Sequence, residues 1–202
     1  MNRMFGIVAL FVLLTAGCGS DPKTDDIDST VEQTSATPEA TPKSTAPPAD
    51  SSELVVKPGS IGPVSAGITK AEALATGLFD ADVAGVEGCT FDLQWKKQFK
   101  GVDVLTLENG SISALGVTAG GPKTSEGIGV GSTLAEVKAA YPDLSPIEGT
   151  GFDQAGAFQT LGEDHIGFLF GDATPAKVTD ASKVSFMEVT TGKKPDLMRS
   201  GC

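Results

Sequence analysis

His165 is the only histidine of this 202-residue chain, and Glu163 and Asp164 stand directly before it. An imidazole oriented by a carboxylate can act as base for a serine nucleophile. That chemistry needs a serine held on a sharp strand-to-helix turn, and the sequence contains no Gly-x-Ser-x-Gly elbow. A lone histidine at a strand edge more simply reads as structural or exposed. A second segment, Gly127-Ile128-Gly129-Val130-Gly131-Ser132-Thr133, is glycine-rich and opens a helix, where free amide N–H groups can hold an anion. The dinucleotide fingerprint and the phosphate-loop Gly-Lys-Ser/Thr are both missing from it. The comparable helix entry at Gly62 and Gly67 has fewer glycines, so the glycines read as serving the chain turn. The acidic run Asp25-Asp26-Ile27-Asp28 lacks the glycine and terminal glutamate of a calcium loop. No compact set of His, Cys and carboxylate ligands appears either. The expectation is no metal, no cofactor and no catalysis. A hydrolytic enzyme using His165 and carboxylates is the weakest functional reading.

The cysteines carry more information. Met1-Asn2-Arg3 is followed by an apolar run from Met4 to Leu14 and by Thr15-Ala16-Gly17-Cys18. A basic start, an apolar stretch too short for the ~20 residues of a spanning helix and small residues before a cut site describe a signal peptide over 1–17. The small residues before Cys18 resemble the lipobox of bacterial lipoproteins. That resemblance implies that Cys18 is acylated and becomes the mature N-terminus, an anchor to the extracytoplasmic face of the cell membrane. Thr15 stands where that pattern prefers leucine. With Cys18 so used, Cys89 and Cys202 form an even pair in an oxidising compartment, and a disulfide between them is expected. It would close a loop of about 110 residues and contribute several kcal/mol in the chain-entropy account.

Removing residues 1–17 takes away Arg3 and no acid, leaving 26 acids against 14 basic residues, a net charge of −12. Nucleic-acid binding needs a concentrated basic face that releases counterions, and lysine and arginine here are scattered. Nucleic acid is therefore excluded as a partner, and an anionic lipid surface would repel the chain.

Residues 18–57 are rich in Ser, Thr, Pro, Ala and Asp and nearly free of large apolar side chains, which predicts a disordered acidic tether. Residues 58–202 then suffice for one domain with a core. Within it, Gly67-Ile68-Thr69-Lys70-Ala71-Glu72 aligns with Gly131-Ser132-Thr133-Leu134-Ala135-Glu136. Each reads as a helix start with a Thr-x-x-Glu capping box, stopped at Gly77 and Pro142. Strand-like runs follow at Thr90–Lys96, Val102–Glu108 and Ser111–Thr118, and then at Phe152–Gln159, His165–Phe170 and Lys183–Thr190. Asn109-Gly110 marks a hairpin. The predicted fold is α+β: two tandem helix–β–β–β repeats, about 58–124 and 125–202, with an antiparallel sheet carrying helices on one face.

Tandem units opening on Gly-x-Thr-x-x-Glu and continuing into an antiparallel sheet resemble the repeats of the secreted β-lactamase-inhibitor protein and of BamE/SmpA-type lipoproteins. They also resemble actinobacterial lipoproteins. The resemblance implies function by protein–protein contact, and no contact residue of those families maps onto this chain. The leading expectation is a lipid-anchored binding or scaffolding module of the cell envelope with a protein partner. The alternative is an inhibitor of an extracellular hydrolase such as a β-lactamase. The aromatics Phe91, Phe99, Phe158, Phe168, Phe170, Phe186 and Trp95 most simply fill the core. Trp95 and Phe99, flanked by Lys96, Lys97 and Lys100, are the two read as surface-located candidates for partner binding.

Overall fold

Apolar residues in this chain come in short alternating runs bounded by glycine, and most of them become strands. The computed structural model describes residues 48–83, 91–171 and 173–197. A short 3-10 turn at Ser51–Glu53, capped by the Asp50 carboxylate, leads into strands β1 (Val55–Lys57), β2 (Ser60–Ile61) and β3 (Val64–Ser65). Helix α1 (Lys70–Ala75) follows, then β4 (Phe79–Val83), β5 (Phe91–Trp95), β6 (Val102–Glu108), β7 (Ser111–Val117) and β8 (Lys123–Thr124). Helix α2 (Leu134–Ala140) precedes β9 (Glu148–Gly151), β10 (Gln154–Leu161), β11 (Asp164–Leu169) and β12 (Phe186–Thr191).

The strands form a four-stranded sheet in the order β3-β2-β1-β8, a six-stranded sheet in the order β6-β7-β12-β11-β10-β9, and the separate pair β4-β5. All pairings are antiparallel except β1 with β8. This corrects the expected α+β class: with twelve strands in three sheets and two short helices among the described residues, the architecture is all-β. The helices run for only six and seven residues, and their buried residues are Ala73 in α1 and Leu134 and Val137 in α2. Helices that short bury too little apolar surface to form a layer. Strands instead arise where tether, helix exit or linker was expected, at β1–β4, β8 and β9. The folded part also reaches back beyond residue 58, because Leu54 and Val56 are already buried.

The six-stranded sheet is buried on both faces. Leu115, Val117, Ala157, Ile166, Phe168, Met187 and Val189 point into the main core, which also takes in Leu134 and Val137 of α2. The alternate residues Phe158, Leu169 and Phe186 point the other way and pack with Leu197 and Leu105. The period-2 alternation of strands places neighbours on opposite faces, so β10, β11 and β12 each feed two cores.

The two helix entries carry the same bonds. Thr69 Oγ1 accepts from Glu72 N and the Glu72 carboxylate accepts from Thr69 N at 2.8 Å; Thr133 and Glu136 repeat this, with 2.7 Å for the second bond. Gly67 N donates to Ile112 O and Gly131 N to Val184 O. These hydrogen bonds hold the carboxyls of Glu72 and Glu136 below the usual glutamate range. A depressed carboxylate stabilises the fold above its unfolded pKa, and that contribution is lost as pH falls through the folded value. Thr133→Ala is expected to cost about 1 kcal/mol through loss of the oxygen that accepts Glu136 N. Its Tm should approach that of the wild-type protein on the acid side, where the Glu136 contribution is lost from both, without reaching it.

One loop crossing is unusually tight. Gly101 has φ +70°, and a Cβ there would lie 2.3 Å from Gly121 N and 2.5 Å from its Cα. Backbone cannot move aside as a side-chain end can. Gly101→Ala is expected to cost roughly 3 kcal/mol, the sum of left-handed strain and overpacking. Gly110→Ala has a similar φ of +79° but nothing within 4 Å, so it should cost only about 1 kcal/mol. Urea midpoints of the pair measure the difference.

Candidate partner-binding surface

Three two-residue hairpin turns join strands of the large sheet, and their chemistry differs. Asn109-Gly110 joins β6 to β7 with φ of 52° and 79°, the positive values that Asn-Gly adopts readily. Gly162-Glu163 joins β10 to β11 with the positive φ on the glycine. Phe152-Asp153 joins β9 to β10 with φ of 49° and 57°, and here a bulky aromatic occupies the left-handed position. Aspartate tolerates that conformation, whereas phenylalanine is a genuine outlier in it.

Phe152 is also 72% exposed, the most exposed large hydrophobic among the described residues. Its backbone is strained and its ring faces solvent, so neither local preference nor core burial accounts for a phenylalanine at this position. Leu161, 70% exposed, lies at the other end of β10 beside the second turn. The two stand at opposite ends of the eight-residue β10, on the order of 25 Å apart. Strand β9 is one of the two edge strands of the large sheet, and among the described residues no strand pairs with its outer side.

An open depression of about 370 Å³ lies just upstream of β9 in the chain, lined by Lys138, Tyr141, Pro142, Leu144, Ser145, Pro146 and Ile147. Tyr141 packs on Phe168 with ring centroids 5.4 Å apart and donates its hydroxyl to the Glu126 carboxylate at 2.8 Å. Bonds from Ser125 and then Tyr141 hold Glu126 at a pKa of about 2. Burial raises the Tyr141 phenol. Tyr141 therefore stays protonated and Glu126 ionised throughout the physiological range. Lys138 is bound to Asp180 at 2.7 Å. The depression has a wall of fixed polarity but no converging set of titratable groups.

Trp95 and Phe99, expected at the surface, are core residues at 5% and 4% exposure. Trp95 lies between Phe79, at 4.4 Å, and Phe99, at 5.8 Å between ring centroids. Lysines beside a strand residue are weak evidence of its exposure, because the alternate position faces the other way. Lys96 follows Trp95 in the chain and donates to Gly77 O at 2.5 Å. The indole Nε1 finds no acceptor among the described residues.

His165 Nδ1 lies 2.9 Å from Thr160 Oγ1 across the β10–β11 ladder. The adjacent Asp164 carboxylate accepts from Thr191 Oγ1 at 2.5 Å instead of orienting the imidazole. The glycine-rich segment uses its amides internally: Gly127 N donates to Thr124 O, Gly129 N to Ser132 Oγ, Gly131 N to Val184 O and Ser132 N to Gly129 O. Among the described residues no group of three or more His, Cys, Asp or Glu could hold a metal, and no helix is long and apolar enough to cross a membrane. Cys18, Cys89 and Cys202 lie outside the described residues.

Sequence reasoning assigned Phe152 to a strand and so missed it. The available signal was Gly149-Thr150-Gly151-Phe152-Asp153, in which closely spaced glycines flank a pair of turn length. No family model matches the chain, and comparison with curated proteins and with solved structures likewise returns no match.

Proposed function

We propose that this chain is a lipid-anchored lipoprotein of the cell envelope whose folded part acts as a non-enzymatic protein-binding module. The contact is made by the β9–β10 hairpin, with Phe152 as its apolar knob. The observation that carries this reading is the 72% exposure of Phe152 on a left-handed backbone at the hairpin tip. Local rules broken without a structural gain mark functional positions. A single aromatic on a narrow turn fits a concave apolar pocket, the setting in which buried aromatic anchors supply most of the binding energy. Cys18 would hold the module at the membrane surface, with the acidic segment after it as spacer.

A knob of this shape would also enter an enzyme cleft, which keeps inhibition of an extracellular hydrolase as the second reading. Titrating the protein against β-lactamases separates the two: dose-dependent inhibition lost in Phe152→Ala supports the inhibitor, and unchanged rates remove it for the enzymes tested. The binding reading is tested by crosslinking from position 152 in native membranes.

A further inference from the structure

Asn109 is the only asparagine of the chain beyond Asn2, and a glycine follows it. Asparagine belongs to the chemically labile residues. The backbone nitrogen that follows an asparagine can attack its side-chain carbonyl carbon, and glycine offers no Cβ to obstruct the approach. Both residues are exposed at the β6–β7 turn, and a Cβ on Gly110 would have nothing within 4 Å. The turn is thus open to water, and no neighbouring group crowds the attacking residue.

The same turn holds the start of α1. Gly110 O accepts from Lys70 N at 2.9 Å, Ile112 N donates to Ile68 O at 2.8 Å, and Gly67 N donates to Ile112 O at 2.6 Å. Thr69 pairs with Ser111 between them. The start of α2 is docked by the same pattern on residues 182–184. Leu134 N donates to Ser182 O, Val184 N to Ser132 O and Gly131 N to Val184 O, all at 2.8 Å, and Thr133 pairs with Lys183. Ala181-Ser182 stands there in place of Asn109-Gly110. Of two equivalent helix dockings, one therefore rests on a labile dipeptide and the other does not.

We propose that Asn109 is a site of spontaneous covalent modification, with water as the co-reactant, and that its product undocks the start of α1. Gly110 N bonds to Asn109 Cγ, the Cγ–Nδ2 bond breaks, and ammonia leaves with the proton that Gly110 N gives up. Water then opens the cyclic imide at either carbonyl, giving aspartate or isoaspartate. No electrons change hands. In isoaspartate the main chain runs through Cβ and Cγ, so it is one carbon longer between residue 109 and Gly110. A two-residue hairpin turn fixes the register of its strands, and the added carbon displaces Gly110 O from Lys70 N. The site is separate from Phe152 and does not depend on it.

The test incubates the full-length protein at mildly alkaline pH until its urea-unfolded chain has converted, and maps the products by peptide mass and isoaspartate content. Conversion at Asn109 is expected in the folded protein as well. Gly110→Ala, which keeps the asparagine but shields the attacking nitrogen, should slow it at least tenfold. An Asn109 still intact in the folded protein at that point overturns the proposal, as does a Gly110→Ala variant that converts at the wild-type rate. Hydrogen exchange on the isoaspartate fraction then reads the consequence. The Lys70 amide should exchange at least tenfold faster than in the unmodified protein, with the Leu134 amide unchanged. Asn109→Asp, which adds the charge on an ordinary backbone, should leave both amides as in wild type. An unaltered Lys70 amide in the isoaspartate fraction, or equal loosening in Asn109→Asp, overturns the undocking.

Discussion

Replacing Phe152-Asp153 with Asn-Gly is expected to make the folded part more stable and, in the same protein, to abolish partner binding. The stability gain follows from the backbone. Residue 152 has φ 49° and residue 153 φ 57°, which Asn-Gly adopts with little strain, whereas a left-handed non-glycine residue costs roughly 1–2 kcal/mol. The ring is 72% exposed, so removing it forfeits little packing. Each kcal/mol regained should raise Tm by about 3 °C in a chain of this size, measurable by circular dichroism. The loss of binding follows from the ring: truncating a central aromatic anchor costs roughly 2–4 kcal/mol, a weakening of at least ~30-fold. Opposite signs in stability and binding distinguish a functional residue from a merely tolerated one. A variant that is both less stable and still bound by its partner would show that Phe152 is there for the fold.

The second large effect concerns a residue whose sequence context points the wrong way. Trp95→Ala should destabilise the protein by about 3–5 kcal/mol, the range for deleting a buried aromatic. Trp95 is 5% exposed and wedged between Phe79 and Phe99, and the variant leaves an indole-sized hole between two rings. Against a total stability of about 5–15 kcal/mol for an ordinary domain, that loss brings the protein close to unfolding at ambient temperature. Trp95 is the only tryptophan, so the urea midpoint must be read by circular dichroism instead of fluorescence. Lys96→Ala, at the residue that follows it, removes one bond to Gly77 O and should shift the midpoint far less. An unshifted midpoint for Trp95→Ala would contradict its place in the core.

What the sequence made legible was local. The Thr-x-x-Glu boxes at Thr69 and Thr133 form with the expected bonds, because a cap is decided within four residues. β6 and the Asn109-Gly110 turn fall at the expected positions, since alternation and an Asn-Gly pair act within one hairpin. β10 was displaced by two residues because Phe152 and Asp153 form a turn with no favoured turn pair to announce it. The all-β class was hidden for a different reason. Strands as short as Ser60–Ile61, Val64–Ser65 and Lys123–Thr124 have too few residues to show a period, and they exist through pairings distant in sequence, such as Val56 with Thr124. Glu188 likewise reads as an ordinary polar strand residue. Only the return of the C-terminal segment over Gly156 and Gly167 buries it.

The central claim, that the partner is engaged through the β9–β10 tip, is tested most directly by a photo-crosslinking residue placed at position 152 or at position 161 of the full-length protein in native membranes. Leu161 is a matched control, 70% exposed at the opposite end of the same strand. A discrete crosslinked partner from position 152 and none from position 161 is the predicted result. Equal adducts from both positions, or none from position 152, would contradict it.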